Sequence, residues 1–141
     1  MIKKLYTTKA TSKGGREGTV STEDGLFEAS MALPKEMGGS GKGNNPEQFF
    51  AAGYAACFNS ALHNVAASKK VKLPEGTTVS ATVSVGPRDD GGGFGIEAEL
   101  TVSIPGIDRA EGEELAHAAH IVCPYSHALR VNYEVPVSLA D

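Results

Sequence analysis

Two cysteines are the residues of this chain whose chemistry stands out, because a thiolate is both a nucleophile and a redox-active group. Cys57 and Cys123 lie 66 residues apart, a separation that fits neither a Cys-x-x-Cys redox motif nor a zinc ribbon. Cys57 lies among apolar residues, where burial raises the pKa of a thiol. Cys123 directly precedes Pro124, so we expect it to cap a short helix whose positive end favours a thiolate. From these residues alone, inert core thiols and a catalytic thiol are both open interpretations.

Four histidines offer a second kind of chemistry, metal binding or general-base catalysis. His117, His120 and Cys123 follow one another at intervals of three residues, but Cys123 is expected beyond the helix end and no fourth ligand is apparent. We therefore predict no metal site. A cysteine hydrolase would need a histidine within reach of Cys57. His63, six residues further along the predicted helix, lies about 120° away around the helix axis and is poorly aimed.

The composition narrows the function classes. The 141-residue chain has 13 basic and 17 acidic side chains, a net charge of −4, and its scattered basic residues do not favour a nucleic acid partner. Its longest apolar run, residues 49–58, is much shorter than the roughly 18 residues of a membrane span. The first residues lack the apolar centre of a secretory signal. We therefore expect one domain over residues 1–141, located in the cytoplasm and without a membrane partner.

Helix and strand signals predict an α+β fold. Asn45 and Gln48 form a capping-box pattern at the start of a long helix, which we expect to run from Pro46 to about Lys69. This helix is apolar all round, which predicts that protein encloses it on every side. Further helices are expected over 109–119 and 124–130. About six strands are predicted around the central helix by alternating apolar and polar residues, at 2–9, 16–22, 26–33, 77–85, 95–104 and 131–137.

Three sequence motifs carry a resemblance to a known family. They are residues 45–58 (NPEQFFAAGYAACF), 122–126 (VCPYS) and 14–18 (GGREG). In this order and separation they resemble the organic hydroperoxide resistance proteins, the hydroperoxide branch of the osmotically inducible protein C superfamily. The resemblance implies an intertwined homodimer that completes the sheets and the central helices. One departure is the sequence His-Ala-Leu-Arg at 127–130, where the family commonly has Asn-Ala-Thr-Arg.

The resemblance also implies an activity and the residues that carry it. Cys57 would attack an organic hydroperoxide, and Cys123 would then form a disulfide with it. Arg16 and Glu47 would be the pair that activates Cys57. The implied enzyme is a cysteine-based peroxidase with no bound cofactor. An external dithiol would recycle it, and the family suggests dihydrolipoyl groups of a lipoylated protein.

Five apolar side chains of the central helix predict the substrate class. An apolar mouth near Cys57 favours organic hydroperoxides, including those of fatty acids, over hydrogen peroxide. The alternative is a non-catalytic domain that binds lipophilic ligands in the same cavity, with Cys57 serving only for packing. The predicted pocket residues are Phe49, Phe50, Tyr54, Phe58 and Leu62.

Helix geometry bears on the assembly. Glu47 and Cys57 are ten residues apart on one helix, hence about 15 Å apart along its axis and about 80° apart around it. Either Arg16 spans most of this gap within one chain, or Glu47 serves the active site of a second copy. An apolar helix in so small a domain needs additional cover, which favours the second option and an obligate homodimer. The small residues Ala51, Ala52, Ala55 and Ala56 would form the contact face.

Overall fold

The computed structural model describes residues 2–140 and confirms the α+β class. Within these residues no helix is long and apolar enough to cross a membrane. The chain forms two compact units, one ending at Phe49 and the other beginning at Phe50. Whether residues 1–141 act as a single domain stays a prediction. The helices are α1 (Pro46–Ser68), α2 (Arg109–Val122) and α3 (Pro124–Arg130), and the strands are β1 (Ala10–Lys13), β2 (Thr19–Thr22), β3 (Glu28–Ser30), β4 (Thr78–Pro87) and β5 (Phe94–Ser103).

The first unit is built on a small antiparallel sheet with the strand order β1-β2-β3. A 3₁₀ turn at Gly15–Glu17 joins β1 to β2. After β3, the backbone at Met31 forms an isolated bridge to Asn44, which brings the loop back to the start of α1. Phe27 and Phe49 pack edge to face, with ring centroids 5.2 Å apart.

The second unit is built around α1 and the β4–β5 hairpin. The two strands pair in continuous antiparallel register from Thr78 opposite Ser103 to Pro87 opposite Phe94. Alternate residues of the hairpin pack against a core cluster supplied by α1 and α2, because successive side chains of a strand point to opposite faces. The buried members of this core include Phe58, Leu62, Ala66, Leu115 and Ala119.

Helix α1 begins where the capping box predicts. The Asn45 side chain accepts a hydrogen bond from the Gln48 backbone at 2.9 Å, and Gln48 returns one from the Asn45 backbone at 3.1 Å. The prediction of burial on every side is wrong for the single chain. The buried residues form one stripe, whereas Ala52 and Ala56 on another face are exposed. The apolar composition of α1 therefore exceeds what one chain covers.

Two of the six predicted strands do not form, whereas β1 (Ala10–Lys13) forms outside the predicted ranges, so the described residues contain five strands. Residues 2–9 and 131–137 alternate as strands do, but within the described chain neither segment belongs to a sheet. A strand needs a neighbour for its backbone hydrogen bonds, and sequence alternation does not supply one. The predicted strand 16–22 is also shorter, because Arg16 lies in the 3₁₀ turn that precedes β2.

Candidate active site

The two cysteines, far apart in sequence, meet in the second unit. Cys57 lies in the middle of α1, and Cys123 occupies the junction between α2 and α3. Their Sγ atoms are 3.8 Å apart, and both are free thiols. Cys57 is partly exposed, whereas Cys123 is fully buried. The Cys57 thiol is therefore accessible to a reagent from solvent, whereas the Cys123 thiol is in contact with it but shielded from solvent.

Helix α3 aims its amino-terminal end at Cys57. Burial raises the pKa of the Cys57 thiol, the backbone N–H of Tyr125 lowers it, and the neighbouring Cys123 raises it again. Burial dominates, so the pKa lies above its ordinary value. Tyr125 follows the Pro124 at the first helical position, where backbone N–H groups have no partner within the helix. Cys123 is the N-cap, as predicted, but the free N–H at this helix end serves Cys57.

The α2–α3 junction is held tightly around Cys123. Its backbone N–H closes the last turn of α2 on the carbonyl of Ala119 at 2.9 Å. From the far end of α3, the Arg130 guanidinium donates to the carbonyls of His120 at 2.7 Å and Ile121 at 3.1 Å. These are carbonyls of the kind that a helix end leaves unpaired. Arg130 thereby ties the end of α3 to the end of α2.

A chain of buried hydroxyl contacts links α1, α2 and α3. The Tyr54 hydroxyl lies 2.8 Å from the Ser126 Oγ atom, and His120 Nδ1 lies 2.9 Å from the same Oγ. Ser126 is 0% exposed and Tyr54 is 4% exposed. Buried hydroxyl groups need such partners, because an unpaired one carries a desolvation cost.

An aromatic cluster lies over the same part of α1. The ring of Tyr125 packs at 5.8 Å from that of Tyr54 and at 6.4 Å from that of Phe50, measured between centroids. Gly53 makes room for it, since a Cβ atom there would lie 2.7 Å from the Tyr125 hydroxyl. Gly53 therefore permits Tyr125 to lie across the helix.

Arg16 and Glu47 form a forked ion pair in the first unit. Nη1 and Nη2 of Arg16 donate to the two carboxylate oxygens of Glu47 at 2.8 and 2.6 Å. The hydrogen bond from Arg16 lowers the pKa of Glu47, and the bond to Glu47 raises the pKa of Arg16. The turn that carries Arg16 requires Gly18, because a Cβ atom there would lie 1.8 Å from the Lys13 carbonyl oxygen. The motif at 14–18 therefore forms a tight turn that positions the Arg16 guanidinium.

Comparisons with known proteins decide the family. The model of the OsmC-like protein family matches residues 39–138. An organic hydroperoxide resistance protein of Xanthomonas axonopodis pv. citri (strain 306) is 49% identical over 139 residues, which are 98% of this chain and 96% of that protein. This chain belongs to the organic hydroperoxide resistance proteins of the OsmC-like family.

Solved structures of organic hydroperoxide resistance proteins share the fold. The protein from Elizabethkingia anophelis matches with a TM-score of 0.86 and 48% identity, covering 93% of this chain and 93% of its own. OhrB of Bacillus subtilis matches with a TM-score of 0.82 and 40% identity, covering 92% of this chain and 94% of its own. The resemblance found in the three motifs is therefore confirmed at the level of the family.

The side chains expected to contact substrate lie in different surroundings. Phe58 and Leu62 are 2% and 0% exposed and belong to the core, so they offer no surface to a ligand in this chain. Tyr54 is buried with its hydroxyl on Ser126. Phe50 is partly buried in the aromatic cluster, and Phe49 packs on Phe27 in the first unit.

An open groove of about 510 Å³ adjoins Cys57, and sequence reasoning missed most of its lining. Three small polar residues of α1 line it at intervals of four, a spacing that places them on one helix face. This four-residue interval in the sequence could have indicated a groove, but small polar residues on a helix usually indicate only a face exposed to solvent. The lining residues are Cys57, Ser60, Ala61, Asn64, Val65, Ser68, Val122 and Pro124.

The histidines do not gather into a ligand set. Among residues 2–140, no group of three or more histidine, cysteine or acidic side chains could hold a metal ion. His120 instead contacts Ser126 through Nδ1. His63 lines a second groove of about 430 Å³ on α1, together with Ala56, Asn59, Ser60 and Asn64.

Proposed function

We propose that this chain is a thiol peroxidase that reduces organic hydroperoxides to alcohols with Cys57 and Cys123. The contact between the two free thiols, with Sγ atoms 3.8 Å apart, carries the proposal. The family supports the substrate, because the relatives are named for resistance to organic hydroperoxides. The open groove beside Cys57 offers a path by which a hydroperoxide could reach this thiol.

The first step is nucleophilic attack by the Cys57 thiolate on an oxygen of ROOH. The S–O bond forms as the O–O bond breaks, and the leaving alkoxide takes a proton to become ROH. The two-electron oxidation leaves Cys57 as a sulfenic acid.

The second step is condensation of the sulfenic acid with the Cys123 thiol. An S–S bond forms and the sulfenic oxygen departs as water. Starting from 3.8 Å, the sulfurs need to approach by only about 1.8 Å to reach the length of a disulfide bond. Cys123 is therefore poised to capture the intermediate before a second hydroperoxide does.

A dithiol must then return both cysteines to the reduced form. Its first thiolate opens the protein disulfide and its second closes a new disulfide on the reductant. We propose dihydrolipoyl groups of a lipoylated protein in this role, on the basis of the family resemblance. No bound cofactor enters the cycle. We place the reaction in the cytoplasm, where reducing conditions keep thiols free between turnovers.

Activation of Cys57 is the proposed task of Arg16 and Glu47. Because burial raises the pKa of Cys57, the resting thiol needs a cation to ionise near neutral pH. Glu47 holds both Nη atoms of Arg16, which fixes the orientation of the guanidinium. In a homodimer this pair could serve the Cys57 of its own chain or that of its partner.

The proposed substrates are apolar hydroperoxides, including those of fatty acids. Val65, Val122 and Pro124 give the groove beside Cys57 an apolar side, and Phe50 adds an aromatic ring in the same unit. An alkyl substituent gains from burial against such surfaces, whereas hydrogen peroxide has none to bury.

The proposed enzyme is an obligate homodimer with two active sites. The segments 2–9 and 131–137 leave apolar side chains in solvent, with Leu5 91% and Val137 92% exposed. Exposed apolar residues in alternating segments are typical of strands that pair with another chain. The open face of α1 at Ala52 and Ala56 needs cover for the same reason.

One experiment separates this proposal from a non-catalytic domain that binds lipophilic ligands. The fully reduced protein is mixed with one equivalent of cumene hydroperoxide, and free thiols and cumyl alcohol are counted. We expect both thiols to be lost, one alcohol to form per chain and no crosslink between chains. The Cys57→Ser variant is the control and should form no alcohol. Unchanged thiols in the wild-type protein would overturn the proposal and favour the binding domain.

A further inference from the structure

A hydrogen bond runs beside the two thiols and joins the helices that carry them. Tyr54 precedes Cys57 by three residues on α1, and Ser126 follows Cys123 by three residues through α3. Residues three apart are neighbours on a helix face. The contact of 2.8 Å between the Tyr54 hydroxyl and Ser126 Oγ therefore lies about one helical turn from the contact of 3.8 Å between the sulfurs.

Ser126 is the central member of this contact. Its side chain is fully buried, and its one hydroxyl faces both Tyr54 and His120. A hydroxyl group donates one hydrogen bond and accepts others, so Ser126 can satisfy both partners at once. The three residues come from three helices, and the Ser126 Oγ atom is where those helices are joined by side-chain polar contacts.

We infer that Ser126, with Tyr54, is a positioning residue that sets the separation of α1 and α3 so that Cys123 stays in contact with Cys57. The inference rests on the proposed peroxidase function. A positioning bond of this kind raises the effective concentration of one thiol at the other. It acts on disulfide formation, because that step needs both sulfurs, and not on the attack of Cys57 on a hydroperoxide.

Loss of this bond has a specific chemical consequence. When Cys123 reaches the Cys57 sulfenic acid less often, a second hydroperoxide competes for it. That reaction transfers another oxygen atom, giving a sulfinic acid and a second ROH, and it cannot be reversed by dithiols. A loosened α1–α3 contact also weakens the disulfide relative to the two thiols, so its reduction potential becomes less negative.

The test uses Ser126→Ala, Tyr54→Phe and the double variant, each in the full-length protein. The matched control is Thr77→Val, which removes a partly buried hydroxyl that donates to the Pro74 carbonyl at 2.8 Å in the segment before β4. Each protein is treated with excess cumene hydroperoxide, and intact mass separates the disulfide, which lacks two hydrogens, from the sulfinic form, which carries two extra oxygens. Equilibration with dithiothreitol in its two redox states measures the reduction potential.

We expect Ser126→Ala and Tyr54→Phe each to increase the ratio of sulfinic acid to disulfide by about 10-fold, the effect of one buried hydrogen bond on an equilibrium. The double variant should be no worse than Ser126→Ala, because that substitution already removes the contact with Tyr54. The reduction potential should become less negative in all three. Thr77→Val should behave as wild type, and the rate of the first alcohol release should be unchanged in Ser126→Ala.

Two results would overturn the inference while leaving the peroxidase intact. One is a wild-type disulfide yield and potential in Ser126→Ala. The other is a fully additive loss in the double variant, which would show two independent structural effects. If the wild-type protein itself forms neither alcohol nor disulfide, the proposed peroxidase function is rejected. This result is distinct from one in which only the positioning role of Ser126 is rejected.

Discussion

Glu47 holds Arg16 through both carboxylate oxygens, at 2.8 and 2.6 Å. This forked geometry matches the planar guanidinium and has no equivalent for a lysine ammonium group. The charge at position 16 and its orientation are therefore separable by mutation.

Arg16→Lys keeps the positive charge but loses the fork. If Arg16 activates Cys57, the pKa of Cys57 should rise in this variant, and the rate of hydroperoxide reduction at pH 7 should fall by at least about 10-fold, because the ionised fraction of a mostly protonated thiol falls about tenfold for each unit by which its pKa rises. The pH dependence of Cys57 alkylation measures the pKa directly. An unchanged midpoint would remove Arg16 from the activation of Cys57, and circular dichroism should show that the fold is kept.

Cys123→Ser should separate the two chemical steps. Cys57 should still release one alcohol at close to the wild-type rate, because that step uses only the first thiol. The sulfenic acid then has no partner and should proceed to sulfinic acid with excess hydroperoxide. Intact mass and an alcohol assay follow both steps. Sustained turnover with a dihydrolipoyl reductant in this variant would contradict a role for Cys123.

The local features of the fold could be predicted from sequence, and the features that depend on distant partners could not. The capping box places the start of α1, and Pro124 places the start of α3, because both act on adjacent backbone. The segments 2–9 and 131–137 have strand patterns but no sheet partner in the described chain. Pairing depends on a neighbour, which alternation does not identify.

The residue types of the candidate site could likewise be predicted from the sequence, whereas the contacts between them could not. The types of Cys57 and Cys123 indicated thiol chemistry, but their contact across 66 residues comes from the packing of α3 on α1, and no local pattern indicates it. The Tyr54–Ser126 bond was missed for that reason. The apolar residues Phe58 and Leu62 were predicted at the substrate but lie in the core, because apolar character alone does not distinguish a pocket from a core.

The ion pair of Arg16 and Glu47 should contribute to stability in a pH-dependent way. Arg16 lowers the pKa of Glu47, so the folded state favours the carboxylate. The stabilisation is present above the unfolded pKa of ~4.3 and is lost as the pH falls through the lower folded value. The difference in unfolding free energy between wild type and Glu47→Gln should therefore be larger at neutral pH than near pH ~3.

A matched control for that measurement is Glu114→Gln. Glu114 also has its pKa lowered, by Lys69, but its side chain is 70% exposed whereas that of Glu47 is 11% exposed. Exposed ion pairs contribute little, so Glu114→Gln should change the pH dependence less. Urea unfolding at both pH values measures the unfolding free energies, and equal effects of the two substitutions would contradict a special role for the partly buried Glu47 carboxylate.

Subunit mixing can distinguish which chain supplies the activating pair to Cys57. Arg16 and Glu47 bind each other within one chain, so they act as a unit wherever they act. In a homodimer, that unit serves either the Cys57 of its own chain or that of its partner. Two variants, each inactive on its own, distinguish these arrangements: Cys57→Ser, which keeps the pair, and Glu47→Ala, which keeps the thiol.

After subunit exchange, a heterodimer of the two variants has one intact Cys57 and one intact Glu47, on different chains. If the pair acts across the interface, these two groups meet in one site, and about half of the dimers in an equal mixture should each regain one working site, by random pairing of two equivalent chains. If the pair acts within its own chain, every site lacks one group and no activity returns.

We expect recovery, because the uncovered face of α1 at Ala52 and Ala56 favours a partner helix beside Cys57. Native mass spectrometry confirms the exchange; no recovery after confirmed exchange would reject the shared site, and a monomer at micromolar concentration would reject the dimer.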